Sequence, residues 1–158
     1  MQEDSFDRLF FFRDFRPDQR DLLRPLFTSC TNEAGDLVFE QDQPAEYLYL
    51  VLDGEVTVYF KPDDGPPLIV ARVRPEGAVG WSAALGSSRY TSSAVCATPC
   101  QMLRVRGVDL RAFCEQHPET GTLVLERLAA GISERLRSTH NHVVALLEQG
   151  LNTGFNSQ

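Results

Sequence analysis

The turn Asp53-Gly54 sits between two strongly apolar runs and constrains this chain more than any other feature. Tyr47 to Leu52 is apolar throughout, and after the turn Val56, Val58 and Phe60 alternate with Glu55, Thr57 and Tyr59. Two such runs joined by Asp-Gly read as a β-hairpin. The period of two begins near Thr31, where Leu37 and Phe39 alternate with Asp36, Val38 and Glu40. It returns at Leu68 to Val73, at Ser92 to Ala97 and at Gln101 to Val105. Gln43-Pro44, Lys61 to Pro67 and Thr98-Pro99 carry the turn composition that separates these runs. Short strands at regular spacing predict a sandwich or barrel.

Helical patterns flank the strands. Residues 5–12 carry an aromatic cluster on a short helix or turn. Pro17 suits a first helical position, and Leu22, Leu23, Leu26 and Phe27 follow at helical spacing, with Pro25 ending or bending the helix early. Beyond Gly107, the residues Val108, Leu110, Phe113 and Cys114 predict a short helix that stops before Pro118, with His117 at its end. From Glu119 to about Glu148 the pattern is again helical, and Gly150 to Gln158 lacks a core. A length of 158 residues suits one domain, residues 1–158, with a β-roll over about 31–105 and C-terminal helices over about 107–148.

The stretch Gly80 to Val95 interrupts the strands. Its first half sets small residues between Gly80 and Gly86, enough for a tight turn and one helical turn. Its second half places Arg89 among serine and threonine hydroxyls before becoming a strand. A glycine turn feeding a helix start presents unpaired N–H groups, and a guanidinium nearby holds phosphate through charge-assisted hydrogen bonds. The plainer reading is a surface loop with one solvated arginine.

Charge and residue usage exclude several function classes. A net charge of −7 argues against the broad basic surface that nucleic acids need, and Lys61 is the sole lysine. No apolar run reaches transmembrane length and the start Met1-Gln2-Glu3-Asp4 lacks the basic opening of a secretory signal, so a cytoplasmic location without membrane attachment is expected. Cys30, Cys96, Cys100 and Cys114 form no Cys-x-x-Cys pair and read as free buried thiols. Between Thr31 and Val105 there is no histidine, so a metal site of the kind some β-roll enzymes carry lacks ligands there. His140 and His142 lie two apart and do not share a helical face. No nucleophile–base arrangement stands out either, and no enzymatic activity is expected.

Taken together, Ala34-Gly35-Asp36-Leu37-Val38-Phe39, the run Leu48 to Tyr59, the stretch Gly80 to Val95 and the helix ending Glu134 to Thr139 resemble the cyclic-nucleotide-binding domain of the catabolite-activator (Crp/Fnr-type) family. Such domains also occur in cyclic-nucleotide-dependent kinases and gated channels. The resemblance spans about residues 16–148. It implies a mainly β fold, a double-stranded β-helix or jelly roll with N-terminal helices and a long C-terminal helix. It also makes 80–93 the phosphate-binding cassette. By resemblance the ligand-binding residues are Gly80, Trp81, Ser82, Ala83, Arg89, Tyr90, Thr91 and Ser92, with Thr139 and His140 on the long helix. The phosphate-neutralising arginine of the family falls at Arg89 or Tyr90, depending on loop length. The family's ribose-binding glutamate is replaced by Trp81, which accepts no hydrogen bond, so weak binding of cAMP and cGMP is expected. No cofactor is certain; a cyclic nucleotide or another small anionic molecule is the implied ligand.

Family transcription factors continue into a helix-turn-helix, whereas this sequence ends at Gln158, so direct DNA binding is not expected. The C-terminal stripe Leu125, Leu128, Ile132, Leu136, Thr139, Val143 and Leu146 either packs on the roll or forms a homodimer seam. The functional expectation is a ligand-sensing regulatory domain, with a ligand-free protein-interaction module as the alternative.

Overall fold

The computed structural model describes Phe6, Leu9 and residues 12–130. Helix α1 (Pro17–Leu23) opens with proline in its first turn, and the Gln19 side-chain oxygen accepts the Arg16 N–H at 2.9 Å. Pro25 then tightens the chain into a 3-10 turn, Arg24–Leu26. Eight strands follow: β1 (Phe27–Asn32), β2 (Leu37–Phe39), β3 (Tyr47–Asp53), β4 (Val56–Phe60), β5 (Leu68–Val73), β6 (Ala78–Val79), β7 (Ser93–Cys96) and β8 (Cys100–Arg106). A short helix α2 (Trp81–Leu85) lies between β6 and β7, and α3 (Gly107–Gln116) follows the last strand. Residues 118–130 are helical as well.

The strands form two four-stranded sheets, in the orders β1-β8-β3-β6 and β2-β7-β4-β5, with every pairing antiparallel. Strand β3 explains why Tyr47 to Leu52 is apolar without alternation. Leu48 and Leu50 face the helices, while Tyr49 and Val51 face the other sheet, so both faces are covered. Two cores result. One joins Phe6, Phe12, Phe27, Leu103, Phe113 and Leu128 between helices and sheet, and the other joins Phe39, Val51, Val58, Tyr90, Ala94 and Met102 between the sheets. The N-terminal aromatics belong to the first, with Phe6 and Phe12 stacked at 4.1 Å.

The mainly β architecture with flanking helices agrees with the period-two reading; several details differ. The roll begins at Phe27 rather than near Thr31, because Thr28-Ser29-Cys30-Thr31 is an edge strand bonded only to β8 and mostly exposed, so it carries little apolar signal. Leu37 is 52% exposed although Phe39 is buried, because the β2–β7 register shifts between them and breaks the alternation. Leu68 and Ile69 are exposed on edge strand β5. Val108 and Leu125 also face outward, whereas Leu110, Phe113, Val124 and Leu128 make the contacts with the roll. Ile132, Leu136, Thr139, His140, Val143 and Leu146 lie outside the described residues, as do Phe10 and Phe11. Among the described residues, no helix is long and apolar enough to cross a membrane.

Candidate functional site

The stretch between β6 and β7 is anchored from two sides. Gly80 caps α2 at φ 88°, and a Cβ there would lie 2.6 Å from the Tyr47 carbonyl oxygen and 3.4 Å from the rings of Phe39 and Tyr90. Both conformation and space therefore require glycine at this position. At the other end, α3 grips α2. The Arg111 guanidinium donates to the Ala83 carbonyl, the Gly107 backbone packs against that same carbonyl, and the Gly107 N–H donates to Glu46 O at 2.8 Å.

The expected site residues do not converge on one space. Trp81 is half-buried and packs on the helix-side core with Leu26, Leu52 and Leu123, its indole N–H buried without a partner among the described residues. Ala83 belongs to the other core, between the sheets. Ser82 is half-buried, and its carbonyl accepts the Ser87 N–H at 2.9 Å. Arg89 stands exposed at the rim, where its guanidinium donates to the Asp42 carbonyl at 2.5 Å and its backbone bridges to Pro44. Thr91 is exposed and Ser92 half-buried, while the neighbouring Ser93 hydroxyl accepts the Gln41 N–H at 2.8 Å. Thr139 and His140 fall outside the described residues.

Tyr90 alone of residues 89–92 points fully inward, at 4% exposure. Its ring lies 3.9 Å from that of Phe39 at an interplanar angle of 15°, and Phe39 is 6.1 Å from Tyr49. The Tyr90 hydroxyl accepts the Tyr47 N–H at 3.0 Å and donates to the Tyr47 carbonyl at 2.7 Å. Its backbone pairs with Asp42 and Gln43. Burial raises the Tyr90 pKa, and burial followed by the neighbouring Tyr90 pushes Tyr49 up to about 12, so both phenols are neutral at physiological pH. Against this stack opens a cleft of about 260 Å³ lined by Val38, Phe39, Gln43, Pro44, Tyr47 and Tyr49, with Glu46 and Tyr90. The Arg104 guanidinium covers one face of Tyr47 at 4.5 Å.

Tyr47 and Phe39 were legible in sequence only as strand residues. Their part in the site becomes visible once Gly80 and Tyr90 are brought against them. Among the described residues no group of three His, Cys, Asp or Glu side chains is placed to hold a metal. The four cysteines are unpaired, and burial raises the pKa of Cys30, Cys96 and Cys114, which leaves them as protonated thiols of low reactivity.

Comparison with known proteins fits this architecture. The sequence model of the cyclic nucleotide-binding domain family matches residues 31–117. A CRP-like cAMP-activated global transcriptional regulator of Mycobacterium tuberculosis is 26% identical over 113 residues, covering 72% of this chain and 49% of the relative. The chain thus spans about half the length of that regulator. The catabolite activator protein of Thermus thermophilus superposes with a TM-score of 0.69 at 26% identity, over 86% of this chain and 62% of that one. A cyclic nucleotide-binding domain from Methylobacillus flagellatus superposes with a TM-score of 0.78 at 20% identity, over 90% and 80% of the two chains.

Proposed function

Because the chain belongs to the cyclic nucleotide-binding domain family, we propose that it acts as a non-enzymatic, ligand-sensing regulatory domain that takes a small anionic ligand at the 80–93 cassette. Gly80, Ser82, Ala83, Arg89 and Thr91 are the proposed contacts. One observation carries this reading. The Arg89 backbone bridges to Pro44, which lines the ring-lined cleft of about 260 Å³, so a guanidinium is carried on a residue adjoining that cleft. Rings offer a stacking surface for a planar ligand, and the guanidinium offers a partner for its anionic group. The cleft lies near the low end of small-molecule sites, roughly 300–1,000 Å³, which favours a small ligand held at the mouth.

Native mass spectrometry of protein purified from its own host tests the reading by detecting a retained ligand. Calorimetry with that ligand then compares wild type with Arg89→Ala, which should lose about 1.5–3 kcal/mol. Unchanged affinity would refute the placement at Arg89. The alternative, a ligand-free interaction module, is favoured by the way Tyr90 fills the space behind Gly80. It predicts that no ligand is retained.

Output is proposed to pass through a homodimer seam along the apolar stripe Ile132, Leu136, Val143 and Leu146, which the sequence pattern makes helical. Leu136→Glu should place like charges across a two-fold axis and yield monomers. A wild-type monomer in sedimentation at about 50 μM, ordinary for weak association, would rule the seam out.

A further inference from the structure

We propose that the Tyr90 side chain is a resident plug in the space behind Gly80, and that it determines which ligands the roll admits. The inference rests on the sensing role proposed above and deepens it at the same site.

Three observations converge on Tyr90. Its ring is 4% exposed and stacked on Phe39 at 3.9 Å, so the inter-sheet space at the start of α2 is filled by the protein's own aromatic group. Its hydroxyl satisfies both backbone groups of Tyr47, donating to the carbonyl and accepting from the N–H. The Gly80 Cα faces this assembly, for an added Cβ would meet the Tyr47 carbonyl oxygen and the Phe39 and Tyr90 rings. A ligand entering behind Gly80 therefore meets a neutral phenol, while Arg89 remains outside on the Asp42 carbonyl.

A nucleoside phosphate seated in the roll has to expel the ring. It then binds only the form in which Tyr90 has swung out, and its observed affinity is the intrinsic affinity scaled by that form's population. Removing the hydroxyl weakens the closed form and keeps the ring; truncation to alanine removes the plug. Both changes cost folding stability and yet raise affinity. A tyrosine with a purely structural role would lower stability alone.

The experiment titrates cAMP into wild type, Tyr90→Phe and Tyr90→Ala by calorimetry, with thermal melts followed in parallel. Tyr90→Phe should melt lower and bind cAMP about tenfold more tightly, the scale of one or two neutral hydrogen bonds. Tyr90→Ala should bind more tightly still. If alanine prevents folding, the phenylalanine variant alone decides. Affinity in Tyr90→Phe no greater than in wild type, including no detectable binding in either, overturns the plug. This result is separate from the Arg89→Ala test on the host ligand, so failure of the plug is distinguishable from failure of the sensing role.

Discussion

The Arg111 guanidinium donates a hydrogen bond to the carbonyl oxygen of Ala83, so the helix that follows the roll holds the end of the cassette helix. That carbonyl lies in the last turn of α2, where backbone oxygens lack helical partners and carry partial negative charge. The Gly86 N–H, the Arg111 side chain and the Gly107 backbone all approach the same oxygen. Any displacement of the cassette helix is therefore felt at the start of α3, before the chain continues into the helix over 118–130.

Arg111→Ala should lower stability by about 1 kcal/mol, below the usual 1.5–3 kcal/mol for a charged hydrogen bond because Arg111 is largely exposed to water. Urea denaturation reads this out. An unchanged midpoint would show that the contact contributes nothing to the fold.

Gly107→Ala tests the same junction by crowding it. A methyl group at 107 would overlap the Ala83 carbonyl, which is backbone and yields only if α2 moves. The expected cost is about 1–3 kcal/mol, the range for overpacking. Hydrogen exchange should speed up across residues 80–86. Gly35→Ala is the control: Gly35 has positive φ, which Gly107 does not, and an added Cβ there meets nothing within 4 Å, so only conformational strain of about 1–2 kcal/mol is expected, with no change at the cassette.

Much of this architecture is legible in the sequence because burial writes itself as periodicity. Val56 and Val58 are buried and alternate with the polar Glu55 and Thr57, and Leu48 to Val51 runs apolar because both faces of β3 are covered. Edges and bulges erase that record. Strand β1 is built of Thr28, Ser29 and Thr31 and takes its place from pairing with β8, which no local pattern reports. Leu37 is apolar and exposed because of a register shift, a property of two strands rather than one.

The cassette is legible as a Gly-rich interruption, but the directions of its side chains are not. Adjacent Arg89 and Tyr90 point to opposite sides of the chain, and sequence alone left open which of them meets the interior. The decision falls to partners distant in sequence: Asp42 for the guanidinium, Tyr47 and Phe39 for the phenol. The grip of Arg111 on Ala83 was likewise unreadable, since both residues look ordinary within their helices.

Alkaline pH should unfold the protein through its buried phenols. Tyr49 ionises near 10 in the unfolded chain and at about 12 in the fold, because burial penalises the phenolate. The unfolded state then releases a proton that the folded state keeps. Stability is full below pH 10 and falls as pH rises toward 12. Tyr90 shifts in the same direction and adds to the slope. Urea midpoints between pH 8 and pH 12 check this, and Tyr49→Phe should flatten the decline. A midpoint independent of pH up to 12 would show that the phenols ionise without cost to the fold.

Trp81→Glu is the substitution that a reading of the cassette as a line of letters would make to restore a ribose contact. The structure predicts the opposite outcome. Trp81 packs against the helix-side core, while the space behind Gly80 is closed by Tyr90 in the other core. A glutamate at 81 would leave a hole among apolar side chains and bring a carboxylate to its edge. Loss of a large aromatic costs about 3–5 kcal/mol when fully buried, so about 2–3 kcal/mol is expected at this half-buried position. The variant should melt lower and bind cAMP no better than wild type, as read by scanning calorimetry and titration on the same preparation. Tighter cAMP binding at an unchanged melting temperature would mean that the side chain at 81 turns toward the cassette interior, and that the partition of Trp81 and Tyr90 between the two cores does not govern the site.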